Sequence, residues 1–101
     1  MTSGVYYIRN CYTNRLYIGQ SSAVRGRFAQ HLYLLERDQH SNSALQRDWN
    51  DFGSAAFTCG EIVSEHNREL RCQLEQTFIR IYQTNDPRLG YNTKRQKRVQ
   101  Q

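Results

Sequence analysis

Two tripeptides near the N-terminus, Gly4-Val5-Tyr6 and Tyr17-Ile18-Gly19, constrain the fold of this chain more than any other feature. Each places a β-branched residue between a tyrosine and a glycine, and β-branched and aromatic residues are typical of strands. Thr13-Asn14 lies between them in a turn-prone stretch. We therefore predict a β-hairpin in which Tyr6 and Tyr17 approach each other on one face, because side chains alternate along each strand.

The next segment predicts a helix that begins at an N-cap in Ser21-Ser22 and ends near Asp38. A 3.6-residue period places Arg27 and His31 side by side on the flank of its apolar face. That face consists of Val24, Phe28, Leu32 and Leu35.

The remaining residues predict two more helices and a third strand. Asn42 or Ser43 can cap a helix over residues 44–52 that ends at Gly53, and residues 56–63 form a strand in which Gly60 indicates a bulge or a close approach. Ser64 opens a helix that ends near Tyr82, with an apolar face of Leu70, Leu74, Phe78, Ile81 and Tyr82. The order β-β-α-α-β-α predicts an α+β fold with a small antiparallel sheet.

The basic charge is concentrated at the C-terminus. With 101 residues the chain has room for one core, and we predict a domain over 1–93 followed by a basic tail over 94–101. Ten arginines and nine acids in 1–93 give +1, whereas Lys94, Arg95, Lys97 and Arg98 give +4 without any acid. This excess favours an anionic partner such as nucleic acid, and the alternative is a solvated tail that aids solubility.

The number and spacing of the three cysteines argue against a disulfide-stabilised or zinc-binding protein. They are widely spaced and odd in number, the three histidines are scattered, and no C-x-x-C pair occurs. A disulfide framework and a zinc site are therefore disfavoured, and reduced thiols in a cytoplasmic protein fit better. The N-terminus lacks the apolar run of a signal peptide, and no stretch reaches the length of a membrane span.

The residues able to do chemistry each have a structural alternative. Glu75 falls inside the apolar arc of the third helix, where a carboxylate binds a metal or is paired with an arginine such as Arg27. Arg27 can neutralise a phosphate and His31 can accept a proton, or both can simply edge an amphipathic helix. Tyr6 and Tyr17 can act as phenols or pack in the hairpin.

Taken together, these motifs resemble the GIY-YIG nuclease family, and most closely the catalytic domain of its phage-type homing endonucleases. The resemblance runs from Gly4 to Asn92, and Val5 replaces the isoleucine that is usual in the family. The matching positions are the two tripeptides, Arg27, His31, His40, Glu75 and Gly90-Tyr91-Asn92.

The resemblance implies a GIY-YIG fold, a three-stranded antiparallel sheet flanked by three helices, with a one-metal active site. Tyr6 would position or deprotonate the attacking water, Tyr17 would contact phosphate or metal-bound water, and Arg27 would bind the scissile phosphate. His31 would hydrogen-bond the tyrosine or assist proton transfer. The family also implies that Glu75 is the only protein ligand of Mg²⁺, for which Mn²⁺ can substitute. His40 would be an auxiliary catalytic residue, and Gly4, Gly19 and Asn92 would support the site structurally.

The resemblance also implies an activity: a Mg²⁺-dependent endonuclease of phage or mobile-element type that acts on foreign or competitor double-stranded DNA in a bacterial or phage-infected cell. Because the chain ends at Gln101, we expect DNA preference to reside in the domain's own surface, with Arg25 and the tail cations. A single site predicts nicking by a monomer, with a dimer left open. The alternatives are a nucleic-acid-binding module that has lost catalysis and a partner-binding domain.

Overall fold

The computed structural model describes residues 2–92, and the tail residues Lys94, Arg95, Lys97 and Arg98 lie outside this range. Within it the elements are β1 (Gly4–Asn10), β2 (Leu16–Ser21), α1 (Val24–Glu36), α2 (Ser43–Phe52), β3 (Phe57–Ser64) and α3 (Arg68–Tyr82), with a 3-10 turn at Ser54–Ala56. This order confirms the predicted β-β-α-α-β-α arrangement. None of these helices is long and apolar enough to cross a membrane.

The sheet has the order β2-β1-β3, with both pairings antiparallel. The predicted hairpin is confirmed: Tyr6 lies opposite Gly19 and Ile8 opposite Tyr17, so both tyrosines lie on the same face. The pairing of β1 with β3 shifts between Val5 and Tyr6. Gly60 lies against the ring of Tyr7, so the close approach predicted there is confirmed, whereas the bulge lies elsewhere.

The first helix differs from the prediction at its start and in its buried face. Its N-cap is Ala23, without a side-chain cap, and Ser21 Oγ instead accepts the Ala23 N–H immediately before the helix. Leu32 is 38% exposed, whereas His31 is buried with Val24 and Leu35. The apolar face is thus rotated so that a histidine takes a core position, and the flank position predicted for His31 was wrong.

Helix α2 agrees with the prediction, whereas α3 differs from it in its start and in its buried face. Asn42 caps α2 by accepting the Leu45 N–H, and Gly53 ends that helix with φ 86°, as predicted. The predicted start of α3 at Ser64 was wrong, because Ser64 is still paired with Gly4 in the sheet and the helix is capped by Asn67. Much of the apolar face predicted for α3 is exposed, including Leu70, Ile81 and Tyr82.

The core lies between the Tyr6 face of the sheet and the helices α1 and α2. Ile8, Leu35, Leu45, Trp49 and Tyr91 form one buried cluster there. A polar network borders it, in which the Tyr91 hydroxyl donates to Asp48 at 2.7 Å and Arg15 forms an ion pair with the same carboxylate at 3.0 Å. The network connects α2 to the hairpin turn and to the end of the described chain. The three cysteines are free thiols.

Candidate active site

The hairpin buries Tyr6 directly against a glycine. Tyr6 is 1% exposed, and a Cβ placed on Gly19 of the paired strand would overlap the Tyr6 phenol. The ring of Tyr17 lies 6.4 Å from that of Tyr6, centroid to centroid. A glycine opposite Tyr6 is therefore a steric requirement for seating the phenol between the strand and α1. A Cβ on Gly4 would similarly overlap the backbone of β3 at Val63.

Helix α1 supplies a histidine to the Tyr6 hydroxyl. His31 is 6% exposed, and its Nε2 lies 2.8 Å from Tyr6 Oη. The ring of Phe28, also on α1, meets the Tyr6 ring edge-on with the centroids 5.3 Å apart. Arg27, one turn before His31, is exposed. The two residues that the sequence placed side by side therefore differ in environment, one buried against the phenol and one open to solvent.

His40 joins this group from the loop between α1 and α2. Its Nε2 lies 2.7 Å from His31 Nδ1, and the two rings stack with centroids 5.0 Å apart. The Asn42 backbone N–H donates to His40 Nδ1 at 3.0 Å, and the His40 N–H donates to Gln46 of α2. Tyr6, His31 and His40 thus form one continuous hydrogen-bonded row.

The row opens into a cleft of about 170 Å³. Its lining includes the expected Tyr17, Arg27, His31 and His40, together with Gln30, Leu34, Ser41 and Asn42. Sequence reasoning missed these last four as site residues. Helical spacing from Arg27 indicates Gln30 and Leu34, whereas no signal in the sequence indicates Ser41. A larger cavity of about 300 Å³ lies elsewhere, lined by Tyr7, Arg9, Leu16, Ile62 and Tyr82, and contains none of the candidate residues.

Burial in and beside the cleft keeps the phenols and the His31 imidazole neutral, whereas Arg27 carries a positive charge. Burial raises the pKa of Tyr6 above its ordinary value, with Tyr17 and Glu75 adding to this rise and the positive charge of Arg27 opposing it. Burial likewise raises the pKa of Tyr17. Burial, helped by His40 and Arg27, lowers the pKa of His31 to about 4. At neutral pH the site therefore holds two phenols and an uncharged imidazole.

Glu75 lies on α3, half-buried, and acts electrostatically on both tyrosines. Burial raises its pKa against a weaker opposing contribution from Gln76. The ion pairs within residues 2–92 are Arg15–Asp48 and Arg88–Asp86, so the pairing of Glu75 with Arg27 that the sequence left open is not formed there. A partly desolvated carboxylate without a cationic partner fits a divalent cation.

The number and type of side chains that could bind a metal ion indicate which metal the site can hold. No group of three or more His, Cys, Asp or Glu side chains that could hold a metal ion occurs within the described range. Zinc needs three or four such protein ligands, whereas Mg²⁺ is held by one or two carboxylates and completes its shell with water and phosphate oxygens. Within the described residues, the single half-buried carboxylate of Glu75 therefore matches the donor set that Mg²⁺ uses more closely than the set that zinc uses.

Asn92 supports the site from the outer edge of β2. Its Oδ1 accepts the Ile18 N–H and its Nδ2 donates to the Ile18 carbonyl, both at 2.8 Å. This pair of bonds extends the sheet beside Tyr17 and Gly19. Arg25 lies exposed on the first turn of α1, outside the lining of the cleft.

This arrangement of fold and site is that of a GIY-YIG catalytic domain. Residues 2–92 match that family, and the chain belongs to it. The chain is 34% identical over 92 residues to intron-associated endonuclease 1 of Enterobacteria phage T4, covering 91% of this chain and 37% of that protein. It therefore spans little more than a third of this relative.

Two solved structures share the fold. A mutant of the catalytic domain of the intron endonuclease I-TevI superposes with a TM-score of 0.83 at 29% identity, over 91% of this chain and 93% of that one. The catalytic domain of the homing endonuclease I-TevI gives a TM-score of 0.82 at 25% identity, over 90% of this chain and 99% of that one. The resemblance to the catalytic domain of a phage homing endonuclease is confirmed.

Proposed function

We propose that this domain is a DNA endonuclease that hydrolyses phosphodiester bonds in the cleft beside Tyr6. The observation that carries the proposal is the row of Tyr6, His31 and His40 at a cleft lined by Arg27, with Glu75 nearby and in no ion pair within residues 2–92. The endonuclease names of the relatives support it.

Arg27 binds the scissile phosphate. Its guanidinium is exposed at the cleft and lies near enough to both phenols to lower their pKa values. A guanidinium can donate two parallel hydrogen bonds to a phosphate, and its charge offsets the negative charge that grows in the transition state. Tyr17, half-buried in the same lining, is the second contact to the phosphate or its bound solvent.

Tyr6 is the general base in this proposal, and Glu75 holds Mg²⁺, for which Mn²⁺ can substitute. A phenol whose pKa is raised by burial is a poor base at neutral pH, so positive charge is needed beside it. Arg27 supplies part of that charge. A divalent ion at Glu75 would supply the rest and would stabilise the leaving oxygen as a Lewis acid.

DNA binding extends beyond the cleft to the cations around it. Arg25, at the start of α1, and the tail residues Lys94, Arg95, Lys97 and Arg98 contact the phosphate backbone of double-stranded DNA in this proposal. Such contacts position the duplex without reading its sequence. The domain would act on foreign or competitor DNA as part of a phage or mobile element. The T4 relative is named as an intron-associated endonuclease of a phage, which supports the phage or mobile-element setting.

One cleft cuts one strand in each encounter, so we propose that the domain nicks. The test is a supercoiled plasmid incubated with the protein and MgCl₂, with a parallel reaction in EDTA. Open circles should accumulate before any linear product, and only when the cation is present. Linear product from the earliest times would contradict nicking, and binding without product in either Mg²⁺ or Mn²⁺ would support the inactive nucleic-acid-binding module instead.

A further inference from the structure

One backbone group sets the direction of every hydrogen bond in the row that leads to Tyr6. The row runs from the Asn42 N–H to His40 Nδ1 at 3.0 Å, from His40 Nε2 to His31 Nδ1 at 2.7 Å, and from His31 Nε2 to Tyr6 Oη at 2.8 Å. Each imidazole uses both of its nitrogens, so the protonation of one nitrogen determines that of the next.

The peptide N–H of Asn42 can only donate, so His40 Nδ1 must be the unprotonated acceptor. In a neutral imidazole the other nitrogen then carries the hydrogen. The His40 Nε2–H therefore donates to His31 Nδ1, which leaves the His31 hydrogen on Nε2, where it donates to Tyr6 Oη. Burial lowers the pKa values of both histidines, which keeps both rings uncharged at neutral pH.

The donor at the start of the row is itself held rigidly. The Asn42 side chain caps α2 at Leu45 and donates to the Tyr91 carbonyl at 2.6 Å, and Gln46 accepts the His40 N–H. In the reverse polarity, a hydrogen on His40 Nδ1 would face the Asn42 N–H with no acceptor between them. The Asn42 N–H, at the N-terminus of α2, thus excludes a row in which each hydrogen bond has its donor and acceptor exchanged.

We propose that His40 is a positioning residue, locked by the Asn42 backbone as the Nε2–H tautomer, which makes His31 a hydrogen-bond donor to Tyr6. This inference rests on the proposed nuclease function and adds the direction of proton movement. With His31 donating, the Tyr6 hydroxyl hydrogen points away from the imidazole. On activation the Tyr6 O–H bond breaks and its proton leaves on the side away from His31, to solvent that reaches the site past Tyr17, which lines the cleft, while both imidazoles keep their hydrogens and His31 stabilises the phenolate. His31 does not take the Tyr6 proton.

The direct test is the tautomeric state of the histidine side chains, measured by ¹⁵N–¹H NMR on the 101-residue chain near neutral pH. The ring-nitrogen pattern should be that of the Nε2–H tautomer for both His31 and His40. Exposed His66, whose Nδ1 lies 3.1 Å from Ser3 Oγ, gives an internal comparison. An Nδ1–H tautomer or a charged ring at His31 would overturn the proposal. The measurement needs no cleavage, so it remains decisive if the nuclease function itself fails.

Two amide substitutions of His40 distinguish the role of its Nε2 atom from that of its Nδ1 atom. In His40→Gln the amide nitrogen reaches the place of Nε2 and can still donate to His31, whereas in His40→Asn the amide reaches only the place of Nδ1. We expect His31 to keep the Nε2–H tautomer in the glutamine variant and to populate both tautomers in the asparagine variant. For cleavage, kcat should fall by less than about tenfold in the first and by about 100-fold in the second, with KM little changed.

Equal losses of kcat in the two variants, with the His31 tautomer unchanged in both, would overturn the positioning role. Amide spectra and thermal melting of each variant establish that it is folded. If the asparagine variant does not fold, the tautomers of the wild-type protein and the glutamine variant decide the question.

Discussion

At the scale of single residues, the site depends on polar side chains that are buried and hydrogen-bonded. His31 occupies a core position of α1 because its two nitrogens are satisfied by Tyr6 and His40. Asn92 satisfies both backbone groups of Ile18 from a position far along the chain. Both residues are polar and buried, and each of their side-chain nitrogens and oxygens has a hydrogen-bond partner, which makes their removal costly.

The neutral state of His31 predicts a pH dependence of stability. Its pKa is lowered to about 4 in the folded protein, and an unfolded histidine titrates near 6.5. Between these values the unfolded chain binds more protons, so the free energy of unfolding should fall as pH decreases through this window. We expect a loss of about 1–2 kcal/mol by pH ~4.5, after allowing for solvent screening.

Urea denaturation at neutral and acidic pH measures this loss. The His31→Gln variant lacks the titrating ring and should lose less stability over the same interval than the wild-type protein. A variant that loses as much as the wild type would show that His31 is not the group responsible.

Asn92→Ala should destabilise the fold, because it leaves the buried N–H and C=O of Ile18 without partners. The expected cost is about 2–3 kcal/mol in the free energy of unfolding, measured by chemical denaturation. The matched control is Asn85→Ala at an exposed position, which should change stability by less than about 0.5 kcal/mol. Equal effects of the two substitutions would contradict the role given to Asn92.

At the scale of elements, the hairpin and α1 bring the site together through one close approach. β1 carries Tyr6, β2 carries Gly19 opposite it, and α1 brings His31 to the phenol. A side chain at position 19 would overlap the Tyr6 ring. The glycine of the second tripeptide is thus fixed by the tyrosine of the first, which explains in steric terms why the two motifs occur together.

Gly19→Ala should therefore displace Tyr6 and reduce cleavage by about 100-fold or more, the contribution expected of a positioned general base. The control is Gly26→Ala in α1, where an added Cβ meets only Ala23 Cβ at 4.0 Å. That change should leave cleavage intact and stabilise the protein by about 0.5–1 kcal/mol, since alanine favours helices. Cleavage rates and thermal melting measure both effects, and an active Gly19→Ala variant would contradict the account.

Local sequence patterns predicted most helices and strands. Contacts between residues far apart in the chain determine the start of α3, the burial of His31 and the position of the loop that carries His40. The hairpin and the Asn42 cap follow from neighbouring residues. The start of α3 did not, because the pairing of Ser64 with Gly4 keeps that residue in the sheet. Helical spacing placed His31 on a flank, whereas its hydrogen bonds to Tyr6 and His40 make it a core residue. No local signal indicates that the loop carrying His40 turns back onto α1.

At the scale of the whole molecule, charge and catalysis reside in different parts of the chain. Residues 1–93 carry a formal charge of +1, and the surplus lies in residues 94–101. The proposed contacts of this tail with DNA phosphates are independent of sequence and sensitive to salt. The cleft itself, with Arg27 and Glu75, performs the proposed hydrolysis, so DNA affinity and cleavage chemistry should respond separately to substitution.

Replacing Lys94, Arg95, Lys97 and Arg98 by glutamine should weaken DNA binding and its dependence on salt. If all four cations contact phosphates, the slope of log K against log salt should decrease in magnitude by about 3.6, measured by fluorescence anisotropy over a salt series. The control is Arg80→Gln on exposed α3, which should leave the slope nearly unchanged. An unchanged slope in the tail variant would favour the alternative in which the tail serves only solubility.

Glu75 is proposed to hold the cation of a phosphodiester-cleaving site, and single-turnover cleavage of a labelled duplex in MgCl₂ tests this role. Glu75→Gln keeps the side-chain shape and removes the charge, and Glu69→Gln is the control on the exposed first turn of α3. Loss of several kcal/mol of transition-state stabilisation predicts a rate at least about 1,000-fold lower for Glu75→Gln, with folding retained and Glu69→Gln close to wild type. A Glu75→Gln protein that cleaves at the wild-type rate would contradict the account.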